Sequence, residues 1–423
     1  MGTEDFRLVK TIDELMPGVE FIDVAQFVQQ NPFYNYGAGP TTVSPGVLRA
    51  GSARTTVSHL NRNFISLMNL NQQAAKVLFG RDPGDSSYAM IMAGTGSTAA
   101  DAAIANLLDR GDSAVAIRQG YFGNRLVESL QRLKIKHEVL DANWGTSLDP
   151  KVLEKRLQSI KFDAVGNVDA LVAALVDTST GVKDPNIAEY GRIFHDKFPN
   201  GNFIVDAVSG AGGIPISMHE MNANAVITGV QKGMGSIQGV AIAVFDDKAL
   251  ERIHRTGGGS VPRHLSVLEH EKYLRDDPDL SRQFVYTFPT QLGMALFQAN
   301  RELFADGIGE AHRRTARASE ILTRGVEAMG FQYFVTEPGL RAPTIHALKV
   351  PEGVKIPDYL AALLQNYRTE QNGGLGELQG KIVRVGLLGP VNTTETRVRQ
   401  MLTNMYSALN DVGYKPAVHP SAL

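Results

Sequence analysis

"NFIVDAVSGAGGIPISMHEMNANAVITGVQKG", residues 202–233, holds two short apolar runs, and a charge stands at the end of each. The first run closes on Asp206; the second leads through Gln231 to Lys232. A carboxylate at the end of a wholly apolar strand is costly unless it is paired with a cation or a metal, or used as a salt bridge or helix cap. A lysine set between a glutamine and a run of glycines is either a turn residue on the surface or a nucleophile held in a pocket. Neighbouring strands of a parallel sheet bring their ends together, so both charges are expected to face one cleft.

The segments around this stretch alternate in the same manner. Short apolar runs at 87–94, 113–120, 169–179, 202–208 and 224–231 are separated by helical patterns at 97–108, 124–133 and 186–198. Short buried strands divided by helices predict an α/β fold with a mainly parallel sheet covered on both faces. "VAIAVFD" at 240–246 reads as a further strand, placed at a reversed edge. After Pro289 the texture changes to two long helices, 291–307 and 310–330, followed by strands at 344–350 and 382–388, a helix at 357–367 and a last helix at 394–412. The expected organisation is an N-terminal arm (1–34, with the amphipathic "IDVAQFVQQNP"), a large domain (35–300) and a smaller C-terminal α+β domain (301–423). "TGGGS" at 256–260 reads as a mobile loop.

Composition narrows the function. The chain has 423 residues, a net charge of -2 and no cysteine. There is no general field for nucleic acid or an anionic membrane, so any anion is bound locally. Without cysteine there is no disulfide, no thiolate-held zinc or iron–sulfur cluster and no thiol nucleophile. No apolar run approaches the roughly 20 residues that span a bilayer, and the mixed, acidic N-terminal stretch lacks a signal-peptide core. A cytoplasmic protein is the expectation.

Ligands of open α/β sheets sit beyond the C-terminal strand ends, and reading only those ends gives a short set of candidates. "AGTGS" places Gly94, Thr95, Gly96 and Ser97 at a helix start, where backbone N–H groups and hydroxyls can cradle a phosphate or simply form a turn. Phe122 in "QGYFGNR" is either a loop residue folded on the core or a plate for a planar ring. "VDTSTG" offers the hydroxyls of Thr178 and Ser179, unless they serve a local turn. Asp206 and Lys232 complete the series. One cofactor needs all of these parts: pyridoxal 5'-phosphate (PLP). Its aldehyde takes a lysine, its phosphate an anion cradle, its ring nitrogen a carboxylate, its ring an aromatic plate and its phenolic oxygen a hydroxyl.

The motifs "GAGPTTVSPGVL" (37–48), "AGTGSTAADAA" (93–103), "GYFGNR" (120–125), "VDTSTGV" (176–182), "VDAVSGAGGIPI" (205–216), "GVQKG" (229–233), "YTFPT" (286–290) and "GGLGELQGKIVRVGLLG" (373–389) carry a resemblance over roughly 35–410. The sequence resembles the class V aminotransferases of PLP fold type I. It is closest to the alanine–glyoxylate/serine–pyruvate and 2-aminoethylphosphonate–pyruvate branches. The resemblance implies a large domain with a seven-stranded sheet and a homodimer with shared active sites. It implies Lys232 as the Schiff-base lysine and proton shuttle, Asp206 at the pyridinium nitrogen, Phe122 stacked on the ring, Thr178 at the phenolic oxygen and Val208 behind the ring. Thr95, Gly96, Ser97 and Gln231 would hold the phosphate, with Thr287 arriving from the partner subunit. Arg384 would grip a substrate carboxylate, as a guanidinium fork does, and Gly39 in the first motif would line the substrate position.

Several positions depart from the pattern. Ser97 stands where the alanine–glyoxylate branch often has histidine, and "GMGSIQG" (233–239) lacks a proline pair after the lysine. Phe284 replaces a phosphate-binding tyrosine, with Tyr286 close by, and Arg255 and Arg263 flank the 256–260 tract. The function expected is transfer of an amino group from a small amino acid or aminophosphonate to glyoxylate or pyruvate. The alternative is elimination or carbon–carbon bond formation on a larger anionic substrate with the same cofactor. A cysteine desulfurase is excluded by the missing cysteine, and a PLP-sensing regulator lacks room for a DNA-binding domain.

Overall fold

The computed structural model describes residues 34–52, 57–162, 167–258, 261–274 and 284–419. The amphipathic segment 22–32 and residues 259–260 of the glycine tract lie outside them. Seven strands build the large sheet: β1 (Tyr88–Gly94), β2 (Ser113–Arg118), β3 (Lys136–Asp141), β4 (Ala170–Ala174), β5 (Asn202–Asp206), β6 (Ala225–Gly229) and β7 (Gly239–Phe245). Their order is β1-β7-β6-β5-β4-β2-β3. β2–β6 pair in parallel, while β7 runs antiparallel to both of its neighbours. The reversed strand is therefore inside the sheet between β1 and β6, and the expected edge position is corrected. β1 holds that edge.

Alternation along the central strands explains the two covered faces. Phe203 and Val205 of β5 point into one apolar cluster, with Phe64, Met68, Tyr190 and Phe194, while Ile204 between them points into the other, with Ala103, Ile104, Leu126 and Ile253. Both clusters are buried, which is why the strand is apolar at every position between Asn202 and Asp206. β3, "KHEVLD", is the exception: an edge strand with only Leu140 buried. Helices α1 (Gly96–Leu107) and α2 (Tyr121–Arg132) follow β1 and β2 and lie together on one face.

A second sheet of four strands comprises β8 (Gln332–Tyr333), β9 (Ile345–Lys349), β10 (Asn372–Gly373) and β11 (Val383–Gly386), in the order β8-β9-β11-β10. It packs with helices α3 (Ile308–Ala328), α4 (Ile356–Tyr367) and α5 (Glu395–Asp411) around Leu322, Val326, Tyr359, Val385, Met401 and Met405. β11 is an interior strand, so its Arg384 is not an edge arginine. Tyr34–Asn35 pairs in parallel with Thr369–Glu370, and the Gly386 N–H donates to the Tyr36 carbonyl at 2.7 Å. That bond brings the chain segment 36–39 beside the strand carrying Arg384.

Candidate active site

Asp206 is the last residue of β5 and sits beside Ile227 of β6, two residues before that strand ends. Three residues further on comes Lys232, and the two side chains share one cleft of about 200 Å³. Thr95, Gly96, Ser97, Phe122, Thr178, Val208 and Gln231 line the same cleft.

Lys232 is 7 % exposed and its Nζ donates to the Ala38 carbonyl oxygen. Burial, and then the Arg384 guanidinium, push its proton affinity down to about 7, against the pull of Asp206 and Asp177. The ammonium also stands 5.9 Å from the centre of the Phe122 ring. Gly39 packs directly on this side chain: a Cβ there would lie 2.5 Å from Lys232 Cδ and Cε, and its φ of +109° suits only glycine. Asp206 is likewise buried, which raises its carboxyl to about 6 although the Val208 N–H donates to it at 2.8 Å.

The helix start of α1 forms the far wall. Gly96 is glycine because a Cβ would fall 2.5 Å from Val208 Cγ2. A Cβ on Gly229, at the end of β6, would meet both Gln231 Oε1 (2.7 Å) and the Gly96 nitrogen (2.8 Å), so the glutamine amide lies against the helix N-terminus. Gln231 Oε1 has no hydrogen-bond partner among the described residues. Thr178 shares a 2.5 Å hydrogen bond between its Oγ1 and Ser209 Oγ. Its carbonyl accepts from Arg384 Nη1 at 3.3 Å, and Arg384 Nε donates to the Gly373 carbonyl at 2.9 Å. Arg384 is 6 % exposed; burial lowers its proton affinity to about 10, which leaves it a cation at neutral pH.

Thr287 is the predicted residue that does not join the group: it is exposed and is not part of the cleft wall of its own chain. Phe284 is buried against Phe64 and Phe288, and the Tyr286 hydroxyl accepts from the Ala93 N–H at 2.7 Å; neither residue is part of the cleft wall of its own chain. The sequence reading missed Ser209, whose signal was a hydroxyl three residues after Asp206. It also missed Asp101, Arg125 and Ser129, which line the outer cleft from the facing sides of α1 and α2. Among the described residues, no group of His, Cys, Asp and Glu could hold a metal ion.

The residues fit PLP on their own chemistry. A buried lysine of lowered proton affinity, a buried carboxylate at the next strand end and a glutamine whose amide oxygen has no partner among the described residues meet in one cleft with a helix N-terminus.

Sheet order, reversed strand and cleft position define a transferase of PLP fold type I. The chain belongs to the aminotransferase class-V family, whose model matches residues 33–368. Enzymes of that family are PLP-dependent, and this protein is an aminotransferase. It is 29 % identical to an uncharacterized aminotransferase of Methanocaldococcus jannaschii, over 89 % of this chain and 92 % of that one. It is 27 % identical to the serine–glyoxylate aminotransferase of Methylorubrum extorquens, over 84 % and 86 %. The crystal structure of an alanine–glyoxylate aminotransferase from Nostoc sp. superposes with a TM-score of 0.83 at 27 % identity, covering 95 % of this chain and all of the other.

Proposed function

We propose that this aminotransferase binds PLP in the cleft at Lys232 and moves the amino group of a small amino acid to glyoxylate or pyruvate. The observation that carries the proposal is the buried Lys232 set between Asp206 and Arg384. The relatives named for alanine or serine as donor and glyoxylate as acceptor support the substrate class.

Bound there, PLP supplies an aldehyde for the amino group and a ring that takes up the electron pair left when a Cα proton departs. Lys232 is the residue that joins it and moves that proton. An amine whose proton affinity lies about 7 is part neutral and part protonated at neutral pH, so it serves as base and then as acid. Asp206 holds a negative charge for the ring nitrogen. Thr95, Gly96, Ser97 and Gln231 would hold the phosphate, Phe122 and Val208 would pack on the ring, and Thr178 would donate to the phenolic oxygen. Arg384 spends two N–H groups on backbone carbonyls and keeps others for a substrate carboxylate beside Gly39.

Two further parts complete the proposal. The enzyme is a homodimer in which Thr287 of each chain reaches its partner's phosphate, supported by the exposure of Thr287. It works in the cytoplasm, in keeping with a cysteine-free sequence; among the described residues no helix is long and apolar enough to cross a membrane. Fractionation of cells with an antibody to the protein checks the compartment.

The central test is titration of the cofactor-free protein with PLP. Wild type gains a visible absorption band and Lys232→Ala does not, with activity falling by about 10³-fold or more. A wild-type protein that gains no band rejects the proposal.

A further inference from the structure

Helix α2, which carries Phe122, begins without a cap of its own. Gly120 stands at the N-cap and has no side chain to offer, yet the first three N–H groups of the helix are all met. Tyr121 N–H donates to Ser179 Oγ at 2.9 Å; Phe122 and Gly123 N–H donate to Asp177 Oδ2 at 3.2 and 3.1 Å. The other carboxylate oxygen, Oδ1, accepts from the Ser179 N–H at 2.8 Å and from its hydroxyl at 2.5 Å. Asp177 is 0 % exposed and accepts four hydrogen bonds, which with the helix N-terminus offset the cost of burying its charge.

Gly120 records the same arrangement from the other side. A Cβ there would fall 2.5 Å from the Asp177 carboxylate carbon. Its φ of 173° is extended backbone open to any residue, so the carboxylate, not the backbone, demands glycine. The next residue, Thr178, makes the Ser209 contact through its hydroxyl and takes Arg384 through its carbonyl. One buried carboxylate thus fixes the aromatic plate, the hydroxyl and the arginine of the cleft. It also adds negative charge behind Lys232, where the other charged groups acting on the amine are Asp206 and Arg384.

We propose that Asp177 is a positioning residue of the aminotransferase site: it caps helix α2 from the neighbouring turn, sets Phe122 and Thr178 for the cofactor, and supplies a fixed negative charge to Lys232 and Arg384. This rests on the reading that PLP occupies the cleft. A carboxylate is needed because both of its oxygens accept. An amide at the same position has one acceptor oxygen and would turn its NH₂ toward donors on one side.

The test compares wild type with Asp177→Asn and Gly120→Ala, each also measured for folding by thermal melting. PLP affinity is read by titrating the cofactor-free proteins. The midpoint pH of Lys232 modification by an amine reagent, mapped by mass spectrometry, is read without cofactor. Asp177→Asn weakens PLP binding about 10- to 100-fold and moves the lysine midpoint down by about one pH unit, because a charge favouring the ammonium is gone. Gly120→Ala keeps the charge and displaces it, so binding falls about tenfold while the midpoint stays near the wild-type value. In an Asp177→Ala background Gly120→Ala costs almost nothing, since the group it strikes has been removed. The proposal is overturned by wild-type PLP affinity together with an unmoved midpoint in Asp177→Asn. If that variant does not fold, wild-type affinity in Gly120→Ala overturns it. A wild-type protein that binds no PLP instead rejects the functional reading on which the proposal rests.

Discussion

Lys232 carries its chemistry as a cost to the fold. Its amine is buried, and its proton affinity falls from an ordinary 10.5 to about 7. Between those values the unfolded chain binds a proton that the folded chain does not, so stability rises with pH across that window. Below about pH 7 both states are protonated and the buried charge destabilises the cofactor-free protein in full. Replacing the amine by an apolar group of similar length removes the penalty. Cofactor-free Lys232→Met is therefore expected to melt above wild type at about pH 6, with the gap shrinking as pH climbs toward about 10. Melting curves across that range check it; a gap that widens with pH contradicts the assigned burial. Arg384 keeps its charge despite burial, and it is readable in the sequence only through the motif around it. Gly39 is readable in the same way; that it packs on the lysine stem emerges only from the fold.

At the scale of elements, what can be read in advance follows from where apolar residues repeat. β5 and β6 are buried throughout because both faces are covered, and the charges of Asp206 at the end of β5 and Lys232 three residues beyond β6 stand out against that background. β3 is missing from the sequence reading because "KHEVLD" is a half-exposed edge strand with no apolar run. β7 is recognisable as a strand and as reversed, but its place between β1 and β6 depends on partners distant in sequence. Helix α2 starts at Tyr121, three residues before the pattern at 124–133 indicates. The extra turn exists because Asp177 and Ser179, more than fifty residues away, take its first N–H groups. No local periodicity encodes such a cap. The glycines after Lys232 also acquire a reason: Gly233 packs against the Ala211 carbonyl, and Gly235, with φ +70°, lies 2.7 Å by its absent Cβ from Pro390 Cδ. Close packing between three loops occupies the stretch where a proline pair was expected.

Across the whole molecule, each part of the cleft comes from a different strand end or loop, and Arg384 comes from the second sheet. The expected division at about residue 300 is proposed on that basis, and limited proteolysis between 300 and 308 checks it. Leu48, Leu60 and Leu70 present large side chains to solvent at 48–51 % exposure, and the helices carrying Leu48 and Leu70 both pack on 290–303, the helix that follows Thr287. Exposed leucines on helices that pack against the helix following Thr287 are in keeping with the proposed subunit interface. Sedimentation is expected to give twice the chain mass, and Thr287→Ala to weaken PLP binding several-fold although Thr287 is outside its own chain's cleft; a monomer with full PLP affinity contradicts the shared site. The central claim, amino transfer at Lys232, is tested most directly by a single half-reaction. PLP-loaded protein is mixed with alanine or serine in the absence of any acceptor, and the keto acid formed is counted per active site. The account predicts one equivalent of keto acid, loss of the visible band, and return of the band with a new amino acid when glyoxylate or pyruvate is added. Consumption of the donor with release of ammonia, and no amino acid made from the acceptor, would contradict it.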